Sequence, residues 1–311
     1  MSRKNKLLIA VDGSQQALSA VRYISRMVTP EDKHLTLFHL LPDLPEPFLD
    51  LNLSGAGSED LFMIDDWRRE QRRFSEEMLE TARQVLLKAG FATGQVQTEA
   101  RVKQVGVARD ILAESHKDYS AVVIGRTGQS ALPGLSIGSV ANKLLAGMHH
   151  LPLIIVGSDP DSAKILLCFD GSSGSENCVD VLGALLGDAD KEVMLCHVIR
   201  PIDIQQTGAD FFKPSYAKEW IEANQRRIVP ALTEAKDALI DAGLDTKRIS
   251  FEILAESLSR AGALVQEAKV RNFGTIVVGR RGLTLVNEFL IGRVSTKVVN
   301  LAEKQAVWVV N

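Results

Sequence analysis

The sequence predicts an α/β protein made of two tandem doubly wound five-stranded parallel-sheet domains, residues 1–157 and 163–311. Three observations predict it. Short apolar runs alternate with longer segments of helical period, the pattern of a parallel sheet covered by helices on both faces. One stretch of strand, glycine hinge and helix start occurs twice in the chain. A length of 311 residues also suits about two domains of ordinary size.

The repeated stretch organises the rest. Ala121-Val122-Val123-Ile124 is a continuous apolar run, suited to a strand buried on both faces. Gly125 and Gly128, around Arg126 and Thr127, stand where the chain leaves the sheet with little steric room. Beyond them, Ile137, Val140, Ala141, Leu144, Leu145 and Met148 repeat at helical spacing. Gly138 and Ser139 therefore open a helix, where free N–H groups and the helix dipole suit an anion. The plainer reading is a turn and a helix cap. The same pattern returns as Thr275-Ile276-Val277-Val278-Gly279-Arg280-Arg281-Gly282, followed by Gly292-Arg293-Val294-Ser295. Three glycines at one spacing, found twice, favour a phosphate cradle.

The elements follow in order. Leu7 to Val11 is a first strand, ended by Asp12-Gly13-Ser14, and Ala17, Ala20, Val21 and Ile24 mark a helix face. Leu35 to Leu41 is a second strand and Pro42 to Asp60 a long loop. Ile64, Trp67, Phe74, Met78, Leu79, Ala82, Val85 and Leu86 line a long amphipathic helix that Gly90 ends. A strand at Val96 to Val102, a helix from Val105 to His116 and the strand ending at Ile124 come next. Leu153 to Val156 is the fifth strand, and Gly157 to Ser162 has linker composition. The order then restarts. Asp170-Gly171-Ser172 matches Asp12-Gly13-Ser14, and His197-Val198 matches His39-Leu40. Gln225-Arg226-Arg227 matches Gln71-Arg72-Arg73, and Trp220 matches Trp67. Val307 to Val310 closes the second half, and Pro230 predicts a kink or restart in the second long helix.

Composition excludes several classes. A net charge of −3 gives no support for a nucleic-acid binder, which usually shows a basic face or run. No apolar run approaches the roughly 18–20 residues of a membrane-spanning helix, and no signal-peptide core follows the basic first residues. Three cysteines, Cys168, Cys178 and Cys196, without a framework spacing suit a reducing, cytoplasmic setting. Gly134-Leu135-Ser136-Ile137-Gly138 spells a nucleophile elbow, but it lies too far beyond its strand. The dinucleotide fingerprint and the P-loop pattern are both absent. His39 and His197 read as structural histidines at strand ends, and Cys168 and Cys196 as small buried residues.

The Asp-Gly-Ser after strand one, the His-hydrophobic pair after strand two and the Gly-x2-Gly-x9-Gly-Ser signature at Gly125, Gly128, Gly138 and Ser139 resemble the universal stress protein family. The resemblance covers both halves. It implies the adenine nucleotide alpha hydrolase-like sheet order 3-2-1-4-5, ATP binding and a stress-linked regulatory role. It also implies pairing of fifth strands, here as an intrachain pseudo-dimer, with a homodimer of chains and an unidentified protein partner as further possibilities. Carried over by position, Asp12 accepts hydrogen bonds from adenosine, Leu40 contacts adenine through its backbone, and Gly125 lies near the ribose. Ala10, Val11 and Ile124 line the strand ends. Thr127, Gly128, Gly138, Ser139, Val140 and Ala141 face the phosphates, whose oxygens, with water, would hold Mg2+. The corresponding positions of the second half are Asp170, Val198, Gly279, Gly282, Gly292, Arg293, Val294 and Ser295. Arg293 replaces the serine of the pattern, so it either pairs with phosphate or fills the cradle beside an acid such as Glu288. No dedicated catalytic group or metal cage stands out. The alternatives to a regulatory ATP binder are a slow ATPase or nucleotidyl-transferring enzyme at the same site, and a scaffold that binds no nucleotide.

Overall fold

Successive residues of a strand point to opposite faces, so a run that is apolar throughout must be covered on both. The central strands follow this rule in the computed structural model, which describes residues 5–44, 58–129, 136–158, 160, 163–186, 190–201, 214–255, 259–281 and 292–311. The first half comprises β1 (Lys6–Ala10), α1 (Gln15–Met27), β2 (His34–Leu41), α2 (Ser58–Lys88), β3 (Val96–Val102), α3 (Val107–Ser115), β4 (Ala121–Gly125), α4 (Ser139–Gly147) and β5 (Leu153–Val156). The second comprises β6 (Lys164–Cys168), α5 (Ser173–Leu186), β7 (Glu192–Val198), α6 (Pro214–Asp241), β8 (Ile249–Leu254), α7 (Arg260–Val270), β9 (Thr275–Gly279), α8 (Arg293–Leu301) and β10 (Ala306–Val310).

The strands form one sheet in the order β3-β2-β1-β4-β5-β10-β9-β6-β7-β8. Each half is parallel and reads 3-2-1-4-5. The halves join where β5 meets β10 antiparallel, with Ile154 opposite Trp308 and Leu153 opposite Val309. Leu7, Ile9, Val123, Ile154, Val277 and Trp308 face the layer holding α1, α2, α5 and α6. Leu8, Val122, Ile155, Ile276 and Val307 face the layer holding α3, α4, α7 and α8. Both core layers run unbroken across the junction. On the first face a buried chain of hydrogen bonds also crosses it: Trp308 Nε1 donates to Tyr23 Oη at 2.7 Å, and Tyr23 Oη lies 2.8 Å from Thr275 Oγ1.

Several expectations change. β1 begins and ends one residue earlier than the apolar run suggested. Ser58 begins α2, so the loop expected to reach Asp60 ends sooner, and residues 45–57 lie outside the described residues. Gly157 and Ser158 do not act only as linker. Their amides donate to Gln305 O and Glu303 O of the second half, both at 3.1 Å, and extend the β5–β10 pairing.

Pro230 does not restart α6, which continues from Pro214 to Asp241. It sits on the exposed side, where water can satisfy the carbonyl its missing N–H leaves free. The matched long helices also shift register. Leu79, Ala82 and Leu86 occupy the buried positions that Leu232, Ala235 and Leu239 occupy in α6. Gly90 and Gly243 end the two helices with φ of 101° and 108°. That register sets Gln71-Arg72-Arg73 against Asn224-Gln225-Arg226, one residue from the match made on the letters alone. Trp67 and Trp220 keep equivalent positions, yet Trp220 is 44% exposed rather than in a core. Its Nε1 donates to Arg200 O at 3.1 Å.

Candidate functional site

The strand order makes the site. β1 has β2 on one side and β4 on the other, so the connections from β1 and β4 leave the sheet in opposite directions. A crevice opens beyond the C-terminal ends of such strands. Ala10, Val11 and Asp12 lie at one lip, Ile124 and Gly125 at the other, and Leu40 lies at the end of β2. His39 Nδ1 donates to Val11 O at 2.7 Å and ties β2 to the turn after β1. His197 does the same with Phe169 O at 2.8 Å. Both histidines hold strand ends.

Asp12 bridges the crevice. One carboxylate oxygen accepts from Ser14 N and the other from Gln129 N, each at 3.0 Å. The loop after β4 is thereby drawn over β1. The glycines make that approach possible. A Cβ at Gly128 would lie 2.5 Å from Asp12 Oδ2, and one at Gly125 would lie 3.0 Å from the carbonyl carbon of Gln16. Gly138 closes the loop by donating its N–H to Arg126 O at 2.8 Å.

The start of α4 is chemically open. Its N-cap, Gly138, has no side chain to accept from the first turn, and the first intrahelical bond is Asn142 N to Gly138 O at 2.9 Å. The amides of Ser139, Val140 and Ala141 precede that bond. Ser139 is exposed, Val140 half-buried and Ala141 buried. Three other helix starts are served internally: Ser14 Oγ accepts from Ala17 N, Ser172 Oγ from Ser175 N and Ser259 Oγ from Gly262 N. Before α3 the Asp110 carboxylate accepts from Gln104 N and Val105 N. The α8 start resembles that of α4, with Gly292 as an uncapped N-cap and Gly292 N donating to Arg280 O at 2.7 Å.

The second crevice is built differently inside. Asp170 accepts from Ser172 N at 3.0 Å and from the Ser172 hydroxyl. Ser295 is 3% exposed, and its hydroxyl donates to Gly279 O at 2.6 Å, where the first half has Ala141. Gly174 stands where the first half has Gln16, and a Cβ there would collide with Arg281 O. Arg281, just beyond β9, is thus pressed onto the start of α5. Arg293 is exposed, Val294 half-buried and Val198 buried, while Gly282 and Glu288 lie outside the described residues.

Two residues that the motif reading passed over do most to hold these loops. Arg126 is 4% exposed. Its Nε donates to Ser136 O within its own loop, and its Nη atoms donate to Asn300 O and Ala302 O, both at 3.2 Å, at the end of α8. Arg280 is 3% exposed and mirrors it. Its Nη1 donates to Leu145 O at 2.8 Å and its Nη2 to Met148 O, at the end of α4, while its Nε donates to Asn311 Oδ1 at 2.6 Å. Burial lowers the pKa of both guanidiniums, that of Arg280 to about 10 with Arg281 adding repulsion. Arg280 is thus committed to the opposite half rather than offered to an anion in its own crevice. The available signal was the recurrence of arginine after the glycine in both halves.

A cavity of about 280 Å3 opens beside the crevice between α1 and α2, lined by Val11, Gly13, Ser14, Gln15, Leu18, Phe74, Glu77, Met78, Thr81 and Ala82. It shares Val11 with the crevice and includes neither Gly128 nor Gly138. Among the described residues no group of three or more His, Cys, Asp or Glu could hold a metal, and no helix is long and apolar enough to cross a membrane.

A double five-stranded α/β sheet with one crevice in each half, each beside a helix whose N-cap is an uncapped glycine, defines a class of tandem α/β domains. The universal stress protein family model matches residues 4–157 and again 162–311, so the chain belongs to the universal stress protein family as a tandem member. It is 25% identical over 177 residues to a universal stress protein of Mycolicibacterium smegmatis, a match covering 55% of each chain. The matched stretch therefore spans only about half of that relative. It is 26% identical over 153 residues to universal stress protein YxiE of Bacillus subtilis, covering 49% of this chain and 98% of that one. A crystallised universal stress protein from Archaeoglobus fulgidus matches over 99% of both chains, with a TM-score of 0.63 and 17% identity, and so shares the fold.

Proposed function

We propose that the protein is a cytoplasmic regulatory protein of the stress response that binds ATP, with Mg2+, mainly in its first half. The open start of α4 carries this reading: an uncapped helix N-terminus beside a crevice can give three amides to a phosphate. The amides of Ser139, Val140 and Ala141 fit that group, with Gly128, Thr127 and Gly125 along the approach; the Gly138 amide, expected at the phosphates, is instead held by Arg126 O. A carboxylate has about four lone-pair sites, so Asp12 can hold its two backbone partners and still accept from a ribose or base. Leu40 would meet the adenine through its backbone. Mg2+ would rest on phosphate oxygens and water. We assign the second half the weaker site, since its Ser295 hydroxyl is turned to Gly279 O and Arg281 lies against Gly174. Regulation would reach a protein partner through the exposed residues of the long helices, such as Phe62, Met63 and Trp220.

The test is to denature purified protein and count released nucleotide, with and without added ATP and Mg2+, beside the variant Gly128→Ala. That Cβ would push Asp12 Oδ2 aside. One ATP per chain, lost in the variant, supports the reading. No ATP in the unaltered protein under either condition overturns it and leaves the scaffold role. Rapid, Mg2+-dependent ATP turnover abolished by the same substitution would instead establish the enzyme.

A further inference from the structure

We propose that the two crevices are coupled through Arg126 and Arg280, each acting as a positioning residue for the helix that opens the other half's site. This rests on the reading of the crevices as nucleotide sites. The argument is one of connectivity. The carbonyl of Arg126 receives Gly138 N and so closes the first loop. Its guanidinium holds Asn300 O and Ala302 O at the C-terminal end of α8. The N-terminal end of α8 opens the second crevice. There the carbonyl of Arg280 receives Gly292 N, and its guanidinium holds Leu145 O and Met148 O at the end of α4. The N-terminal end of α4 opens the first crevice. The bonds form a ring that passes through both sites and crosses the β5–β10 junction twice.

The helices are short enough for this to matter. α4 and α8 have nine residues each, so about 13 Å separates their two ends. Helices of that length are marginal without tertiary support. A helix C-terminus carries carbonyls without intrahelical partners and the negative end of the dipole. A buried guanidinium there satisfies both, with charge-assisted bonds. Removing it frees the last turn of a helix that has little more than two, and the disorder reaches the amides at the other end. Conversely, an anion that orders the α4 start also orders the end that Arg280 grips, and with it the loop of the second crevice.

The experiment is hydrogen exchange of segments 136–147 and 292–301 in the full-length protein, measured without nucleotide and across an ATP·Mg2+ titration. Arg280→Gln is compared with Tyr23→Phe. The second variant removes the Tyr23 hydroxyl that bonds Thr275 and Trp308 across the same junction, but touches neither helix end. The expected result is faster exchange in 136–147 for Arg280→Gln without nucleotide, and about a tenfold higher ATP concentration for its half-protection. Tyr23→Phe should stay within about twofold of the unaltered protein, and Arg280→Lys, a charge without the fork, should fall between. Arg126→Gln should act in the same way on 292–301. Equal behaviour of Arg280→Gln and Tyr23→Phe would overturn the coupling. If ATP protects neither segment of the unaltered protein, the nucleotide reading falls. The wiring is then judged on the nucleotide-free exchange, where an unchanged 136–147 in Arg280→Gln overturns it and a faster one supports it.

Discussion

At the scale of single residues, one histidine in each half ties two strand ends together. His39 and His197 both bond a backbone carbonyl, and burial lowers the pKa of His197. The Phe169 carbonyl and Asp170 oppose that effect, while Arg260 and Arg227 reinforce it. A histidine whose folded pKa lies below its unfolded value, about 6.5, is held neutral by the fold. The unfolded chain then binds more protons as the pH falls, so the stabilisation present above about pH 6.5 is lost on acidification through the folded pKa. Urea midpoints at about pH 7.5 and 5.5 should therefore drop more for the unaltered protein than for His197→Gln. Equal drops would show that His197 contributes nothing to acid sensitivity. The three cysteines illustrate the same rule without a switch: all are buried, and burial raises each thiol, that of Cys196 to about 12.

At the scale of elements, the junction depends on a residue that looked like linker. Gly157 continues the β5–β10 pairing, and a Cβ there would strike Gln305 O, Glu303 O and the carbonyl carbon of Lys304. None of these is a flexible side-chain end, so the backbone itself must shift. Gly157→Ala should cost about 1–3 kcal/mol, the range for forcing atoms into a packed site. Chemical denaturation measures it, and a loss near zero would mean that the 303–305 turn moves freely. The long helices teach a related point. Leu79, Ala82 and Leu86 set the register of α2 against the sheet, because a buried stripe tolerates no rotation, whereas the exposed Gln-Arg-Arg letters can sit on any turn. Ser75 falls on the buried stripe where α6 carries Ile228, and its hydroxyl has no partner among the described residues.

At the scale of the whole molecule, the tandem arrangement hides a strand edge. Leu153, Ile154 and Ile155 are 0% exposed, and β10 pairs along their edge. A chain ending after residue 157 would leave that apolar edge open, and such edges pair with whatever strand is available. Expressed alone, the first half should form a dimer through β5, with Arg126 of each copy at the end of the other's α4. Light scattering would report the mass. A stable monomer would mean that the edge is tolerated and that the junction contributes less than its burial suggests. In the intact chain both core layers continue across the junction, which makes joint unfolding of the halves the matching expectation.

The duplication, the alternation of strands and helices, and the glycines and Asp12 at the strand ends are all legible in the order of residues. Those features are local: period, punctuation and spacing survive without knowing what packs on what. The sequence also pointed to the family, because Gly125, Gly128, Gly138 and Ser139 keep their order and spacing. What lines each crevice and what holds it follow from packing between distant parts of the chain. Ser139 and Ser295 are both near a helix start, yet one is exposed and the other is turned inward to Gly279 O. Arg280 reads as a surface cation within its own stretch, but its acceptors are Leu145 O and Met148 O, far away in the chain. Such contacts join residues more than a hundred positions apart, and no local pattern records a partner that only the closing of the β5–β10 junction brings within reach.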